Sequence, residues 1–443
     1  MKQNIQFIGN TMLSIISSTV IVLPFMIFLN WGSSHTVIAI LPFVIFYTFR
    51  TTGIFFIRGI KTELNSYTLL KLAIYCGFLG SIFGLLGVVF PDLELVSGLF
   101  LGLSAAWLPM ANNTIKRYRV ENDIVGSKNI GIIVLFLVLL GIVFMLSDKY
   151  SFVLFFSIYG FMYFLSLSAL VNIKNYEVKA HDLEGYSYKY LVLFFVLFVL
   201  VFLLRSSRLL LNTFQFDYFV YGMFFLVLCV LILMAFSRNR PQRRVPGDLS
   251  YMTVLNGALG NYLFLFSSLY AAGYYGHSQL IVKFYLPYVL GIMVAPKVGS
   301  LSKGKIKEFA LIGMTGGLIL LLFTPLFTIG ILILSTFKSV FNGWLTDKYV
   351  SQNELPKDKR IWVKYTIQSL GSIIHQFILM IIGSLLVFEN HSSIKNFFVI
   401  TSQKIPTVES RALMTNWNGI ATGILLIALI IYGLGSTIRL KEK

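Results

Sequence analysis

The chain has 443 residues, of which 57% are hydrophobic and only 12% are charged. A soluble globular domain is typically about one-quarter charged, so this composition excludes a water-soluble protein built around one core. The formal net charge of +18 does not indicate nucleic acid binding, because that function needs a soluble basic module with stacking aromatic residues, and the sequence has none. We therefore expect an integral membrane protein that has the lipid bilayer, and no nucleic acid, as a partner.

Apolar runs that are long enough to cross a bilayer follow one another along the whole sequence. A spanning helix needs about 20 mostly apolar residues. Pro325 separates two of the runs, and we expect a tight hairpin there because one uninterrupted helix over residues 308–345 would be too long for a bilayer. The sequence predicts about 14 transmembrane α-helices, at residues 9–30, 37–57, 68–90, 95–113, 129–147, 152–172, 187–204, 215–236, 250–272, 279–297, 308–323, 326–345, 365–387 and 417–437.

Positively charged residues set the orientation of these helices. With the N-terminus inside the cell, 26 of the 36 Lys and Arg residues fall in cytoplasmic loops and 6 fall in outer loops. Cytoplasmic loops of membrane proteins carry this excess of positive charge, so both termini are predicted to be cytoplasmic. We expect a multi-pass protein of the cell membrane, and a bacterial plasma membrane in particular.

The predicted helices are organised as six, then two, then six. Residues 1–172 form an N-terminal six-helix bundle, residues 173–249 form a linker with two additional transmembrane helices, and residues 250–443 form a C-terminal six-helix bundle. The linker ends in the most basic stretch of the chain, residues 237–248, whose two prolines predict a non-helical boundary.

The two halves carry similar short segments in the same order. The second predicted helix follows residues 31–34 (WGSS), and the tenth follows residues 275–278 (YGHS). Each of these helices ends in a glycine-led basic loop, at residues 53–61 and 299–307, in which a lysine follows the glycine eight residues later. Two six-helix halves related by internal repetition are typical of secondary transporters.

This organisation resembles the major facilitator superfamily, in particular its fourteen-helix members with two helices inserted between the halves. Residues 272–299 carry most of the resemblance, since they read as a helix, a short outer turn with Gly-x-Ser, a helix and a basic inner loop. The family's inner loop usually reads Gly-x-x-x-Asp-Arg-x-Gly-Arg followed by Arg or Lys. Here Gly53, Arg58 and Lys61 keep the glycine and the positive charge, but the aspartate is missing. The Gly-Pro pair of antiporter members is also missing from residues 130–147, which weighs against antiport and drug export.

The resemblance implies alternating access, in which two halves rock about a central site for a small-molecule substrate. It also implies a cytoplasmic gating loop, whose residues would be Gly53, Arg58, Lys61, Gly299 and Lys303. The sequence contains no Gly-x-x-x-x-Gly-Lys-Ser/Thr loop of the kind that binds nucleotide phosphates. We therefore expect no ATP hydrolysis by this chain, no ATPase subunit and no cofactor.

His375 is the strongest candidate for a group on a transport path, because it lies ten residues into an apolar run. Gln368, Ser372 and His375 are spaced i, i+4 and i+7, so they share one face of the predicted helix. Such a face should point to protein or water, since a polar face is costly in lipid. Two roles stay open for His375: a proton- or substrate-binding group, and a neutral histidine that is hydrogen-bonded to a neighbouring helix.

Two cations and two amides are further candidates. Arg50 and Lys338 each lie about two turns from the predicted cytoplasmic end of their helix. They would either favour an anionic or zwitterionic substrate or extend their side chains to the interface, and extension is the favoured interpretation for Lys338. Asn256 and Asn261 in the ninth predicted helix either line the path or join helices, and joining is the commoner role.

These features favour a secondary active transporter of a small organic or amphiphilic solute. The basic side chains inside the predicted helices are compatible with an anionic substrate, and export is one direction of transport that the sequence allows. A lipid-linked saccharide flippase of the multidrug/oligosaccharide exporter type is the alternative, although the basic linker at residues 237–248 favours the facilitator arrangement. A membrane-embedded transferase is the third hypothesis, with Glu389 and His391 as its polar cluster. No catalytic or metal-binding motif supports an enzyme.

Overall fold

The fold is helical throughout the part of the chain that the computed structural model describes. This part comprises residues 2–34, 41–60, 64–122, 148–173, 188–206, 245–276, 279–302, 304–389 and 406–441, together with the single residues 141 and 176. All regular secondary structure in these ranges is α-helix, with short 3₁₀- and π-helical pieces.

The chain divides into two compact units. The first comprises Met1–Leu209 and Leu355–Thr366, and the second comprises Leu210–Glu354 and Ile367–Lys443. Helix Arg360–Glu389 therefore begins in the first unit and continues in the second. The domain boundaries expected from the sequence stay a prediction.

Long apolar helices build the first unit. Asn65 starts one of them, because its side-chain oxygen accepts a hydrogen bond from the backbone N–H of Thr68 at 2.8 Å and so caps a free amide of the first turn. The helix Asp148–Ser166 continues as a 3₁₀-helix to Ile173. The helices that the structure describes in this unit are α1 (Lys2–Thr19), α2 (Leu23–Ser34), α3 (Leu41–Gly59), α4 (Ser66–Gly87), α5 (Leu93–Glu121), α6 (Asp148–Ser166) and α7 (Tyr188–Ser206).

Helix α7 belongs to the pair that the sequence places between the two halves, and it packs on α3. The ring centroids of Phe49 and Phe198 lie 4.9 Å apart, and those of Phe56 and Phe194 lie 5.0 Å apart. At the end of α3, Gly59 lets the backbone of Leu191 approach so closely that a Cβ on the glycine would lie 2.7 Å from its amide nitrogen. Aromatic packing and one small residue thus fix α7 to α3.

The first described helix of the second unit is long and is interrupted by a π-helical turn at Tyr262–Phe266. It ends at Gly276, whose φ of 92° is left-handed backbone that glycine adopts without strain. A 3₁₀ turn at Thr324–Leu326 forms the hairpin that was predicted at Pro325. The α-helices here are α8 (Gly247–Asn261), α9 (Ser267–Tyr275), α10 (Leu286–Ser300), α11 (Ile306–Leu321), α12 (Phe327–Val350), α13 (Arg360–Glu389) and α14 (Val408–Lys441).

The helices agree with the apolar runs of the sequence wherever the structure describes them. Twelve of the 14 predicted runs coincide with helix, although a turn at residues 20–22 divides the first run between α1 and α2. The other two, 129–147 and 215–236, lie outside the described residues apart from residue 141. In the described part, seven helices are long and apolar enough to cross a membrane, and the helix at Lys189–Leu203 is apolar but shorter. The chain is therefore a multi-pass membrane protein, whereas the total of 14 spans and the side of the termini stay predictions.

Two glycines bring α8 and α13 into backbone contact. A Cβ added to Gly257 would overlap the carbonyl oxygen of Gln368, and a Cβ added to Gly371 would overlap the carbonyl oxygen of Val254. Small residues of this kind let membrane helices approach closely, and the close approach supplies van der Waals contact where lipid offers no hydrophobic driving force. This crossing places the polar residues of both helices side by side.

We expect Gly371→Ala to lower the stability of the protein, because the new methyl group collides with the α8 backbone and has no flexible neighbour to displace. The expected cost is about 1–3 kcal/mol. Gly316→Ala in α11 is the matched control, since a Cβ there meets open space and alanine improves helix propensity. Thermal unfolding of the detergent-solubilised protein measures both variants, and equal midpoints would contradict this packing.

Candidate functional site

Helix α8 presents a polar face to each of two neighbouring helices of the second unit. Asn256 and Gly260, one turn apart, face α12, whereas Gly257 and Asn261, also one turn apart, face α13. Each face therefore combines one amide with one glycine. The glycine lets the neighbouring helix approach and the amide hydrogen-bonds to it, so the six residues 256–261 join three helices.

The contact between α8 and α12 forms what we call the α8–α12 seam, defined by Asn256, Gly260, Lys338 and Asn342. The side-chain Nδ2 of Asn256 donates to Oδ1 of Asn342 at 3.0 Å. One turn away, a Cβ added to Gly260 would lie 3.3 Å from Nζ of Lys338. Because the residue numbers rise on α8 as they fall on α12, the two helices are antiparallel.

Lys338 lies at the middle of its helix. It is residue 12 of the 24 in α12, because the helix continues past residue 345 to Val350. Its ammonium group lies beside Gly260 of α8. Its distance from the cytoplasmic side, and the extension of its side chain to the interface, stay predictions.

His375 forms the contact between α13 and the other face of α8. Its Nδ1 lies 3.1 Å from Nδ2 of Asn261, and the side chain is only 3% exposed. The Asn261 amide donates in this geometry, so Nδ1 accepts and the imidazole is neutral with its proton on Nε2. A second proton on Nδ1 would oppose two donors unless the amide rotated. The geometry thus corresponds to the structural role, and a proton-binding role stays a prediction.

The other residues predicted to share the face of His375 also lie along α8. The carbonyl oxygen of Gln368 and the amide nitrogen of Ser372 both approach Gly257. The side-chain Oε1 of Gln368 is buried and has no hydrogen-bond partner among the described residues. A buried acceptor that lacks a donor costs about 1–3 kcal/mol, so this oxygen is a candidate for a ligand contact.

The π-helical turn that follows Asn261 was not predicted from the sequence. The hydroxyl of Ser267 donates to the carbonyl oxygen of Tyr262, five residues earlier, at 3.1 Å. The Tyr262 hydroxyl donates to Oδ1 of Asn418 at 3.1 Å and lies 2.6 Å from Oγ1 of Thr422. π-Helical turns inside α-helices are frequent at functional sites. The sequence carries no signal for the turn itself, although its partners Asn418 and Thr422 are polar residues spaced i, i+4 in an apolar helix.

In the first unit, Arg50 lies at the midpoint of α3, as residue 10 of its 19. The side chain is half-buried, and its guanidinium carbon lies 5.5 Å from the ring centroid of Tyr47. A cation above an aromatic face is stabilised at this distance. Each unit therefore holds one basic side chain at mid-depth.

Two of the residues predicted to form a cytoplasmic gating loop lie inside helices. Gly53 lies inside α3, where Trp107 Nε1 donates to its carbonyl oxygen at 2.9 Å, and Gly299 lies inside α10, where a Cβ would be 3.5 Å from Val340. Both glycines are helix contacts because the helices continue through them. Lys61 and Lys303, the other lysines of this prediction, lie outside the described residues.

Arg58 is the predicted gating residue with polar contacts in the structure. Its Nη1 donates to Oγ1 of Thr366 at 3.0 Å, and its guanidinium carbon lies 4.1 Å from the ring centroid of Tyr190. It is buried in the last turn of α3. Arg58 thus joins the end of α3 to the first turns of α13 inside the first unit.

The first unit also contains a buried carboxylate, Asp358, that was not predicted from the sequence. Both oxygens of Asp358 accept from the backbone N–H of Ser66, at 3.1 and 3.2 Å. Ser66 is the first residue of α4, so the carboxylate sits at the positive end of that helix. Lys359 Nζ lies 3.2 Å from the same carboxylate, and both side chains are at most 5% exposed.

Aromatic side chains enclose this ion pair. Trp362 Nε1 donates to Oγ of Ser66 at 2.8 Å, and Lys359 Nζ lies 3.4 Å from the Trp362 ring centroid. The Tyr176 hydroxyl donates to Asp358. Burial, and then the neighbouring carboxylate, raises the pKa of Tyr176, so it stays a donor at any physiological pH. We call Ser66, Tyr176, Asp358, Lys359 and Trp362 the Asp358 cluster.

Comparison with known proteins gives weak similarities. No protein-family model and no curated protein matches the sequence. The structure is similar to that of the nucleoside transporter NupG, with a TM-score of 0.41 and 12% identity, covering 97% of this chain and 98% of that chain. It is also similar to the major facilitator superfamily transporter FucP in the outward conformation, with a TM-score of 0.43 and 11% identity, covering 94% of this chain and 97% of that chain. With TM-scores below 0.5, neither similarity decides the family or the substrate.

We expect Asp358→Asn to destabilise the protein, because the amide leaves the Lys359 charge buried without its counter-ion and weakens the bonds to the α4 amides. The expected loss is about 2 kcal/mol or more. Glu121→Gln is the control, since it breaks the 2.6 Å ion pair between Glu121 and Lys357. The side chain of Glu121 is 41% exposed and that of Lys357 is 65% exposed. Exposed pairs contribute roughly 0–1 kcal/mol. Chemical denaturation in detergent compares the two, and similar losses would contradict the importance of the cluster.

Proposed function

We propose that this chain is a secondary active transporter of the major facilitator type. It moves a small organic or amphiphilic, anionic solute across the plasma membrane by alternating access. The observation that carries the proposal is the concentration of polar side chains at mid-depth in the second unit: the α8–α12 seam and the Asn261–His375 pair. The six-two-six order of apolar runs and the repeated Gly-x-Ser turns support the same assignment.

The physical argument starts from the cost of polar groups in hydrocarbon. A lysine at the centre of a membrane helix costs several kcal/mol, so such residues are rare and typically mark solute or ion paths. Lys338 lies at the middle of α12, and its ammonium group lies beside Gly260. A protein that only needed rigid helices could use apolar packing there. Retention of a cation at this depth therefore favours a binding function.

The Asp358 cluster supports alternating access. Helix α13 is one continuous helix, whose first turns belong to the first unit and whose remainder belongs to the second. The cluster and the Arg58–Thr366 hydrogen bond hold those first turns against α3 and α4. We propose that these bonds form in one state of the transport cycle and break in another. This assigns the gating role to Arg58 and Asp358 in place of the family's missing loop aspartate.

Transport by purified protein in liposomes tests the proposal. Liposomes are preloaded with unlabelled organic anions, monosaccharides or nucleosides, and entry of the matching labelled solute is followed. We expect protein-dependent, saturable counterflow for at least one class, with no ATP present. Lys338→Gln should lower counterflow of an organic anion at least tenfold, whereas Gly316→Ala in α11 should retain it. Entry no faster than in protein-free liposomes for every class would overturn the proposal.

A further inference from the structure

We infer that the α8–α12 seam is an anion-binding site, in which Lys338 holds a carboxylate or similar group of the solute and Asn256 accepts a hydrogen bond from a neighbouring hydroxyl or ammonium group. The inference rests on the proposed transport function and specifies the substrate class as hydroxy- or amino-carboxylates. It is carried by three independent features of the seam: the glycine below the lysine, the uncommitted acceptor on Asn256, and the charge of the surrounding helices.

The first feature is the space that Gly260 leaves on α8 beside Lys338. A Cβ at this position would lie 3.3 Å from Nζ of Lys338, tighter than an ordinary van der Waals contact. The glycine therefore leaves a recess on α8 into which the ammonium group is directed. Lys338 and Asn342 are both half-buried, so part of each side chain is accessible on this face of α12. A small anion that reached this accessible part would meet the ammonium group.

The second feature is the side-chain oxygen of Asn256, which accepts no hydrogen bond from the described residues. The Asn256 side chain is fully buried, and its Nδ2 is committed to Asn342. A buried acceptor without a donor costs about 1–3 kcal/mol. A ligand that supplies an O–H or N–H group removes this cost. Asn256 lies one helical turn from Gly260, which is a spacing of about 6 Å along the axis.

The sequence supplies the third feature, the sign of the charge. No Asp or Glu occurs at residues 249–307, 309–346 or 359–388, which include the membrane portions of α8, α12 and α13. The fixed formal charge of these helices at mid-depth is therefore positive. In a medium of low dielectric constant this charge attracts an anion and repels a cation far more strongly than in water. A neutral sugar would gain hydrogen bonds here but would not need the ammonium group.

Thiol chemistry at Gly260 tests the site without knowledge of the physiological solute. Gly260→Cys is made in a full-length background in which Cys76 and Cys229 are replaced by serine. The purified protein reacts either with the anionic sulfonatoethyl methanethiosulfonate or with the cationic trimethylammonioethyl reagent. The ratio of the two rates is divided by the ratio for a free thiol in solution. We expect the anionic reagent to be favoured by roughly tenfold, because Lys338 supplies a local positive potential.

Two charge variants decide whether Lys338 is the cause. Adding Lys338→Gln should abolish the preference, whereas Lys338→Arg should keep it. Lys348→Gln is the matched control, because Lys348 is an exposed lysine in the last turn of the same helix, and it should leave the preference unchanged. Equal normalised rates, a preference for the cationic reagent, or no reaction at the introduced thiol would each overturn the anion site.

The result of the thiol-labelling experiment can be distinguished from that of the transport assay. An anionic preference in a protein that shows no counterflow would overturn the transport function and leave the anion site standing. Counterflow of neutral solutes only, together with equal normalised rates, would overturn the anion site and leave transport standing. Competition gives the ligand class: lactate and serine should slow the labelling of Gly260→Cys by at least threefold at saturation, and glucose should not.

Discussion

The absence of water inside a bilayer is the constraint on which the structure depends. A polar side chain in hydrocarbon must find its partner within the protein, or it remains costly. In the second unit this requirement is met along α8, where Asn256 bonds to Asn342 and Asn261 bonds to His375. These bonds do not simply join helices. They fix which faces of α12 and α13 turn inward, and so they place Lys338 and Gln368 next to α8.

Glycine makes this arrangement sterically feasible. On α8 the order Asn256-Gly257, followed one turn later by Gly260-Asn261, gives each neighbouring helix one amide and one gap. Across Gly257 the backbone of α13 approaches directly, whereas across Gly260 the gap is filled by the flexible end of a lysine. The first contact is rigid and the second can adapt. We infer that α13 provides the fixed wall of the site and that α12 provides the group that responds to the solute.

The first unit meets the same constraint at the other end of α13. Asp358 and Lys359 are buried, and their charges are matched by each other and by the start of α4. A buried ion pair of this kind contributes little net stability compared with apolar packing, but breaking it is costly. It therefore suits a contact that must be either fully formed or fully open. A transporter that alternates between two states needs contacts with that property.

Much of the fold could be predicted from the sequence, and the limits have physical reasons. Apolar runs located the helices and the turn at Pro325, because length and hydropathy dominate in lipid. The end of the helix that carries Lys338 was not predicted, because Asp347 and Lys348 end the apolar run while the helix continues to Val350. Partners across helices, such as Asn342, and the π-helical turn depend on packing that has no local signature.

Alternating access requires that the α8–α12 seam become exposed to water from each side of the membrane in turn. Gly260→Cys, in a background without Cys76 and Cys229, measures this directly with a membrane-impermeant maleimide. Intact cells expose one side and inverted vesicles expose the other. The account predicts labelling of Gly260→Cys from both sides, and each reaction should slow when the transporter is trapped open to the opposite side. Labelling from neither side, in protein that folds normally, would contradict it.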